Sequence, residues 1–332
     1  PVAHMTPLSV LQFDLRRAPF CPDTAVDRTR ACLDMVRWAD QSGISVVGFS
    51  EHHNTTDGFL SAPLMLAMAA AACTQRIALS VSALQLPLHE PLRVAEDMIA
   101  LDQVAAGRFT LTVGLGYRES EYLAFGADWS RRGRVFDEKL TTLLQALGGE
   151  PFAYRESTVQ LTPALDSPVR SLLFVGGNSA AAARRAARFG LYFAPAIDDP
   201  ALGELYQAAC KDCGYDEGYV IYPREPSLTL IAHDPDEAWD RLGPFLLYDA
   251  QAYASWAHPS RRAYAESAAS TLGSLREEGK YAILSPEEAA ARVAAKGSIN
   301  LAPLCGGVPI DAAWESLQLY AEEVVPRLTQ EP

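Results

Sequence analysis

The chain predicts an α/β fold, a closed (β/α)8 TIM barrel with extended βα loops after strands 4 and 7. Strand-like apolar runs and helix-period segments alternate eight times along its 332 residues. No sharp linker and no clear repeat divides them, and barrels of about 250 residues commonly fold as one unit. The expectation is a single domain over 6–332, with a loop and helical insertion at about 244–286.

The elements follow in order. Residues 8–15 read as the first strand, and a helical pattern over 23–42 stops at Gly43. The run 46–50 is the second strand; its helix takes Ser61 as N-cap and Pro63 in the first turn. The third strand spans 77–86, and the helix after it opens at Glu90-Pro91 and ends at Gly107. Residues 109–115 form the fourth strand, followed by a helix over 134–147. After a looser stretch at 148–169, the strands expected are 172–175, 191–195, 227–232 and a last one within 298–304. Helices over 180–189, 201–213 and 312–328 complete the alternation.

The net charge of −13 argues against a nucleic-acid partner, which needs a concentrated basic surface. The basic residues come instead in small groups such as Arg131-Arg132, Arg184-Arg185 and Arg261-Arg262. No window approaches the roughly 18 apolar residues of a membrane span, and no signal peptide is read. Residues 1–5 read as an expression remnant, with Met5 as the natural start. Six scattered cysteines do not make a disulfide framework and suit a reducing, cytoplasmic setting. Cys210 and Cys213 have redox or metal spacing, but they lie at a helix end with no second pair, and the reading is structural.

Chemistry concentrates where strands end. Phe49-Ser50-Glu51-His52-His53-Asn54 closes the second strand, at the edge where parallel α/β folds place ligands. Histidine is also the side chain most easily tuned near neutral pH. Val175-Gly176-Gly177-Asn178-Ser179 joins the fifth strand to an Ala-rich helix. Its glycines permit close approach, and the helix N-terminus suits a phosphate, although the same sequence also serves as an ordinary turn. Gly114-Leu115-Gly116 allows a flat ligand to approach or is a tight turn. No metal site is expected, because adjacent histidines on a strand point to opposite faces. Two long connections, 117–133 and 244–286, carry aromatics including Phe245, Tyr248, Tyr253, Trp256 and Tyr264; they read as a lid or an added packing layer.

Taken in order, these motifs resemble the bacterial luciferase-like flavin monooxygenases. The matching segments are Ser50-Glu51-His52-His53, Leu86-Pro87-Leu88-His89-Glu90-Pro91, Gly107-Arg108-Phe109, Gly114-Leu115-Gly116-Tyr117 and Phe174-Val175-Gly176-Gly177-Asn178-Ser179. The resemblance implies a (β/α)8 barrel, commonly a homodimer, that takes reduced FMN from a separate flavin reductase. With O2 it would oxygenate a small, apolar or aromatic substrate through a flavin C4a-peroxide. It implies Glu51 and His52 beside the flavin ring, with His52 as acid/base. Ser82, Ala83 and Leu84 would back the ring, with a non-prolyl cis peptide at Ser82-Ala83. The phosphate would rest on Gly176, Gly177, Asn178 and Ser179, with Arg134 as counter-charge. Leu115 and Gly114 stand where true luciferases carry Arg and Cys, so light emission is not expected. Two alternatives remain: a 5-deazaflavin-dependent oxidoreductase on the same barrel, and a flavin-binding protein without turnover.

Overall fold

A computed structural model describes residues 7–215, 218–223, 227–256 and 267–329. Residues 1–5, Arg261-Arg262 and Tyr264, singled out above, lie outside them. The chain groups into two compact units, one of 1–48, 55–60 and 223–332, the other of 49–54 and 61–222.

In the first unit the strands are β1 (Leu8–Phe13), β2 (Val46–Phe49, whose last residue belongs to the other unit), β9 (Leu228–Ile231), β10 (Tyr281–Leu284) and β11 (Ser298–Leu301). They run in the order β10-β9-β11-β1-β2, with parallel registers such as Tyr281 opposite Leu228 and Leu8 opposite Ser298. β9, β10 and β11 are buried at every position, as parallel strands covered on both faces require.

β10 is a strand within the expected insertion. Its four residues sit inside 244–286 yet pair along their full length with β9. The helix after β9 begins at Pro235 and runs into that stretch as far as Ala254, with Pro244 inside it, and a short helix Leu272–Glu278 precedes β10. An interior proline costs about 3 kcal/mol; burial of Trp239, Leu242, Phe245 and Leu246 on one face offsets that cost. The final helical pattern is likewise divided, into Ile310–Leu319, a π-helical turn Tyr320–Val324 and Val325–Thr329. Pro326 lacks the N–H that a regular α-helix would need there.

Arg16, just past β1, is fully buried. Its Nε lies 2.8 Å from Asp57 and its Nη1 2.9 Å from Asp249, with all three side chains buried. Tyr281 donates to the other Asp249 oxygen at 2.6 Å. The rings of Tyr253, Trp256 and Phe59 lie 4.3, 4.5 and 5.1 Å from the guanidinium carbon. Two carboxylates and three ring faces thus replace the water that the guanidinium loses on burial.

In the second unit the parallel strands are β3 (Ala78–Gln85), β4 (Phe109–Gly114), β7 (Leu173–Gly176) and β8 (Tyr192–Ala194). They are hydrogen-bonded in the order β3-β4-β7-β8. The looser stretch at 148–169 contains an antiparallel hairpin of β5 (Phe152–Tyr154) and β6 (Ser157–Val159). The helix expected to start at Ser61 is instead capped by Ala62, without a side-chain bond, and begins at Pro63. Proline at that position brings no N–H that needs a cap. The helix expected to stop at Gly107 ends at Ala105, with Ala106 in the left-handed region at φ 51°.

Candidate functional site

All the sequence-predicted site residues lie in the second unit. Phe49 ends β2, and Asn54, at φ 49°, turns the chain away, so Glu51, His52 and His53 sit on a short segment just beyond a strand end. All three are buried. Adjacent residues of extended chain face opposite ways, and the two histidines do go to different carboxylates.

His52 Nδ1 lies 2.9 Å from Glu121 Oε1, and its Nε2 lies 2.9 Å from the Tyr117 hydroxyl. The same Glu121 oxygen accepts the His53 backbone N–H at 2.8 Å and Arg118 at 3.1 Å. Burial alone would raise the Glu121 pKa, but the His52 hydrogen bond and charge, the His53 amide and Arg118 together lower it. An ionised Glu121 is acceptor-only, so the His52 proton sits on Nδ1 and Nε2 accepts from the Tyr117 O–H.

Glu51, expected to work beside His52, serves other groups. Its Oε1 lies 2.7 Å from His89 Nε2 and 3.2 Å from His53 Nε2, and its Oε2 accepts the Gln85 backbone N–H. Burial pushes its pKa up, yet the contacts with His53 and His89 and the Gln85 N–H prevail and hold it at about 2. Lys139 fixes the turn that carries His89 by donating to the carbonyls of Pro87 and His89, at 2.7 and 2.6 Å.

The strand registers place a floor beside these groups. Gln85 pairs with Gly114, and Gly176, paired with Ala194, follows the Val113–Val175 pair. One row at the strand ends therefore reads Gln85, Gly114, Gly176, Ala194, with no side chain on its two middle members. A Cβ at Gly176 would meet Thr112 Cγ2 at 2.8 Å, and one at Gly116 would collide with the Gln85 amide. Ser82 is exposed, Ala83 is half-buried, and the Ser82–Ala83 peptide is cis, as the resemblance implied. Leu84, beyond the register shift, is buried.

Gly177 has φ 137°, which favours glycine, and Ser179 caps the helix Ala180–Arg188 by accepting from Ala182 N. Asn178 Oδ1 is used by the Ala196 N–H at 2.8 Å. Arg134 is exposed and pairs with Glu138 at 2.7 Å. Three residues further on, the Asp137 carboxylate pairs with Arg185 and Arg188 of the Ala180–Arg188 helix, at 2.5 and 2.7 Å.

Sequence reasoning missed Glu121 and the role of Tyr117. Both lie in the long connection after β4, where Glu119–Ala124 forms a short helix. Glu121 lies in that helix, but Arg118 is its extended N-cap and Tyr117 precedes it, so no helical period in the sequence links the three.

A flat, electron-rich ring system such as flavin fits this surface. The glycine row offers a side-chain-free floor, and Gln85 Oε1 and Glu121 Oε2 are buried acceptors without a hydrogen bond, suited to the N–H groups of a reduced flavin. The Gly177–Ser179 turn has the helix N-terminus that a phosphate prefers.

Residues 10–299 match the family model described as luciferase-like monooxygenase. Among curated relatives, 4-hydroxyprotoasukamycin monooxygenase of Streptomyces nodosus subsp. asukaensis is 34% identical over 139 residues, 40% of this chain and 38% of the relative. The alkanal monooxygenase alpha chain of Photorhabdus luminescens is 28% identical over 63% of this chain and 61% of its own. The chain thus spans less than two thirds of the length of these relatives. Among solved structures, the monooxygenase RslO1 of Streptomyces bottropensis superposes with TM-score 0.73 at 21% identity, covering 96% of this chain and 99% of that one. The oxygenating constituent of 3,6-diketocamphane monooxygenase from Pseudomonas putida, in complex with FMN, gives TM-score 0.68 at 19% identity, covering 98% and 100%. An F420-dependent secondary alcohol dehydrogenase gives 0.66 at 15% identity, covering 98% and 100%. These likenesses establish the α/β barrel class expected from the sequence, and with the family match over most of its length the chain belongs to the luciferase-like monooxygenases.

Proposed function

We propose that the protein is the oxygenating component of a two-component flavin-dependent monooxygenase. It would receive reduced FMN from a separate reductase and transfer one atom of O2 to a small apolar or aromatic substrate. The observation that carries this reading is the Glu121–His52–Tyr117 array, buried at Glu121 and His52, which meets the glycine-floored strand ends through the same β4 loop. Bound reduced flavin supplies the electrons that activate O2.

The chain's own residues supply the rest. Glu121 keeps the His52 tautomer with its proton on Nδ1 and stabilises the imidazolium formed when Nε2 takes a proton. Tyr117 donates to that nitrogen and can pass its proton along the same line, which makes His52 Nε2 the acid/base atom. Glu51 holds Gln85 and, through His53 and His89, stiffens the segment on which His52 sits. Ser82, Ala83 and Leu84 would support the ring, and Gly176, Gly177, Asn178 and Ser179 the phosphate; Arg134 would have to leave Glu138 to help. Aromatics at Tyr117, Phe125 and Trp129 suit an apolar substrate and exclusion of water. Free thiols at all six cysteines favour a cytoplasmic setting. A homodimer completes the reading, by family resemblance.

The test is stopped-flow spectroscopy: protein and reduced FMN are mixed anaerobically and then exposed to oxygenated buffer. A long-lived species, distinct from reduced and oxidised flavin and dependent on the protein, is expected. Reoxidation at the rate of free flavin, with and without candidate substrates, would reject the proposal. A second reading, hydride transfer with a 5-deazaflavin coenzyme, is supported by the F420-dependent neighbour; selective binding of that coenzyme over FMN would favour it.

A further inference from the structure

We propose that Glu51, His53 and His89 form a binding site for a divalent transition-metal ion of the zinc class. Their three donor atoms, Glu51 Oε1 and the Nε2 atoms of both histidines, all lie within 4.8 Å of one another. Tetrahedral zinc with bonds near 2.0–2.1 Å places its ligand atoms about 3.3 Å apart. Here Glu51 Oε1 stands 3.2 Å from His53 Nε2 and 2.7 Å from His89 Nε2. The Glu51–His53 pair is already at that spacing, and the Glu51–His89 pair has to open by about 0.6 Å.

The chemistry of the donors is selective. Two imidazoles and one carboxylate suit zinc and its neighbours rather than magnesium or calcium, which prefer oxygen cages. Glu51 is ionised at neutral pH, and one ion would satisfy its charge and both rings at once. His53 adds an independent sign: its ring is buried, and Nε2 makes no hydrogen bond of good geometry although it faces Glu51. A buried imidazole nitrogen aimed at a carboxylate without a proper bond is better satisfied by a metal ion.

The surroundings hold the donors in place, as ligand shells require. Gln85 N–H fixes the second Glu51 oxygen, Lys139 grips the His89 carbonyl, and the Phe125 ring packs against His53 at 4.6 Å between centroids. The His89 side chain is 26% exposed and provides the approach from solvent. None of these groups belongs to the Glu121–His52–Tyr117 array. His53 nevertheless shares a backbone with His52 and donates its N–H to Glu121, so an ion here would stiffen the acid/base residue.

The experiment uses the tag-free full chain, stripped with chelator and desalted, with no flavin present. Zn2+ titration by calorimetry is expected to show one saturable site per chain. His89→Gln and His53→Gln should each weaken it by about 100-fold or more, since even supporting residues around a metal contribute 10- to 100-fold. His233→Gln and Cys213→Ser, which remove donors outside the cluster, should leave it unchanged. Co2+ substituted into the unaltered chain should give the intense visible absorption of a four- or five-coordinate ion. Circular dichroism verifies that each variant is folded; the Co2+ spectrum needs no variant at all. Absence of saturable binding, survival of the site in both histidine variants, or a weak aquo-like Co2+ spectrum would each overturn the proposal. Because no flavin enters, its failure leaves the monooxygenase reading untouched, and the reverse.

Discussion

Glu121 Oε1 lies 2.9 Å from His52 Nδ1 although the two residues are 69 positions apart. The carboxylate that orients the acid/base histidine is therefore supplied by the loop after β4 and not by the adjacent Glu51.

Replacing His52 with Asn should lower coupled product formation by about 10²- to 10⁴-fold, the usual contribution of a positioned acid/base. Flavin affinity should change little. The measurement is turnover with a saturating reductase, alongside a flavin titration. An unchanged coupled rate removes the assignment.

Glu121→Gln keeps the shape of the side chain but loses the charge that holds the Nδ1–H tautomer. Its amide would also set a donor against His53 N–H or Arg118. Turnover should fall by at least about 10²-fold, with Glu121→Asp recovering part of it. A Gln variant as fast as the parent would show that the carboxylate only fills space.

Glu51 makes stability depend on acid. Its folded pKa is about 2 against an ordinary value of 4.5. Folding is stabilised fully above about pH 4.5, and the contribution is lost as pH falls toward 2. It amounts to about 3 kcal/mol. Urea melts at pH 6 and pH 3 should show the gap between parent and Glu51→Gln shrinking at the lower pH. A gap that is constant or grows contradicts the assignment.

Gly114→Leu would put a side chain on the bare row at the strand ends. A Cβ there already meets Ala83 Cβ at 3.4 Å, so the remaining carbons must rise into the space assigned to the ring. Reduced-flavin affinity should drop by about tenfold or more, about 1.4 kcal/mol. Anaerobic fluorescence titration reads this directly, and undiminished binding would place the flavin elsewhere.

Arg16→Met removes one partner of a buried ion cluster and leaves Asp249 and Asp57 uncompensated. The expected loss is about 3–5 kcal/mol, read as a lower denaturant midpoint. Asp249→Asn combined with Arg16→Met should recover part of it. Additive losses would mean the pair is not coupled.

The sequence by itself determined the alternation of strands and helices, the strand end at Phe49, the glycines of the β4 and β7 ends and the family pattern that links them. These are local signals: apolar period, left-handed glycine turns and motif order are all written within a few residues. Tertiary structure decided which carboxylate meets which histidine. Glu51 is next to His52 in the chain yet turns to His53 and His89, because neighbouring side chains leave extended backbone in opposite directions. Glu121 reaches His52 only because the connection after β4 brings its short helix to the segment that follows Phe49. β10 was hidden because Tyr-Ala-Ile-Leu stands between helical stretches in a segment read as an insertion, and its pairing with β9 is what identifies it as a strand.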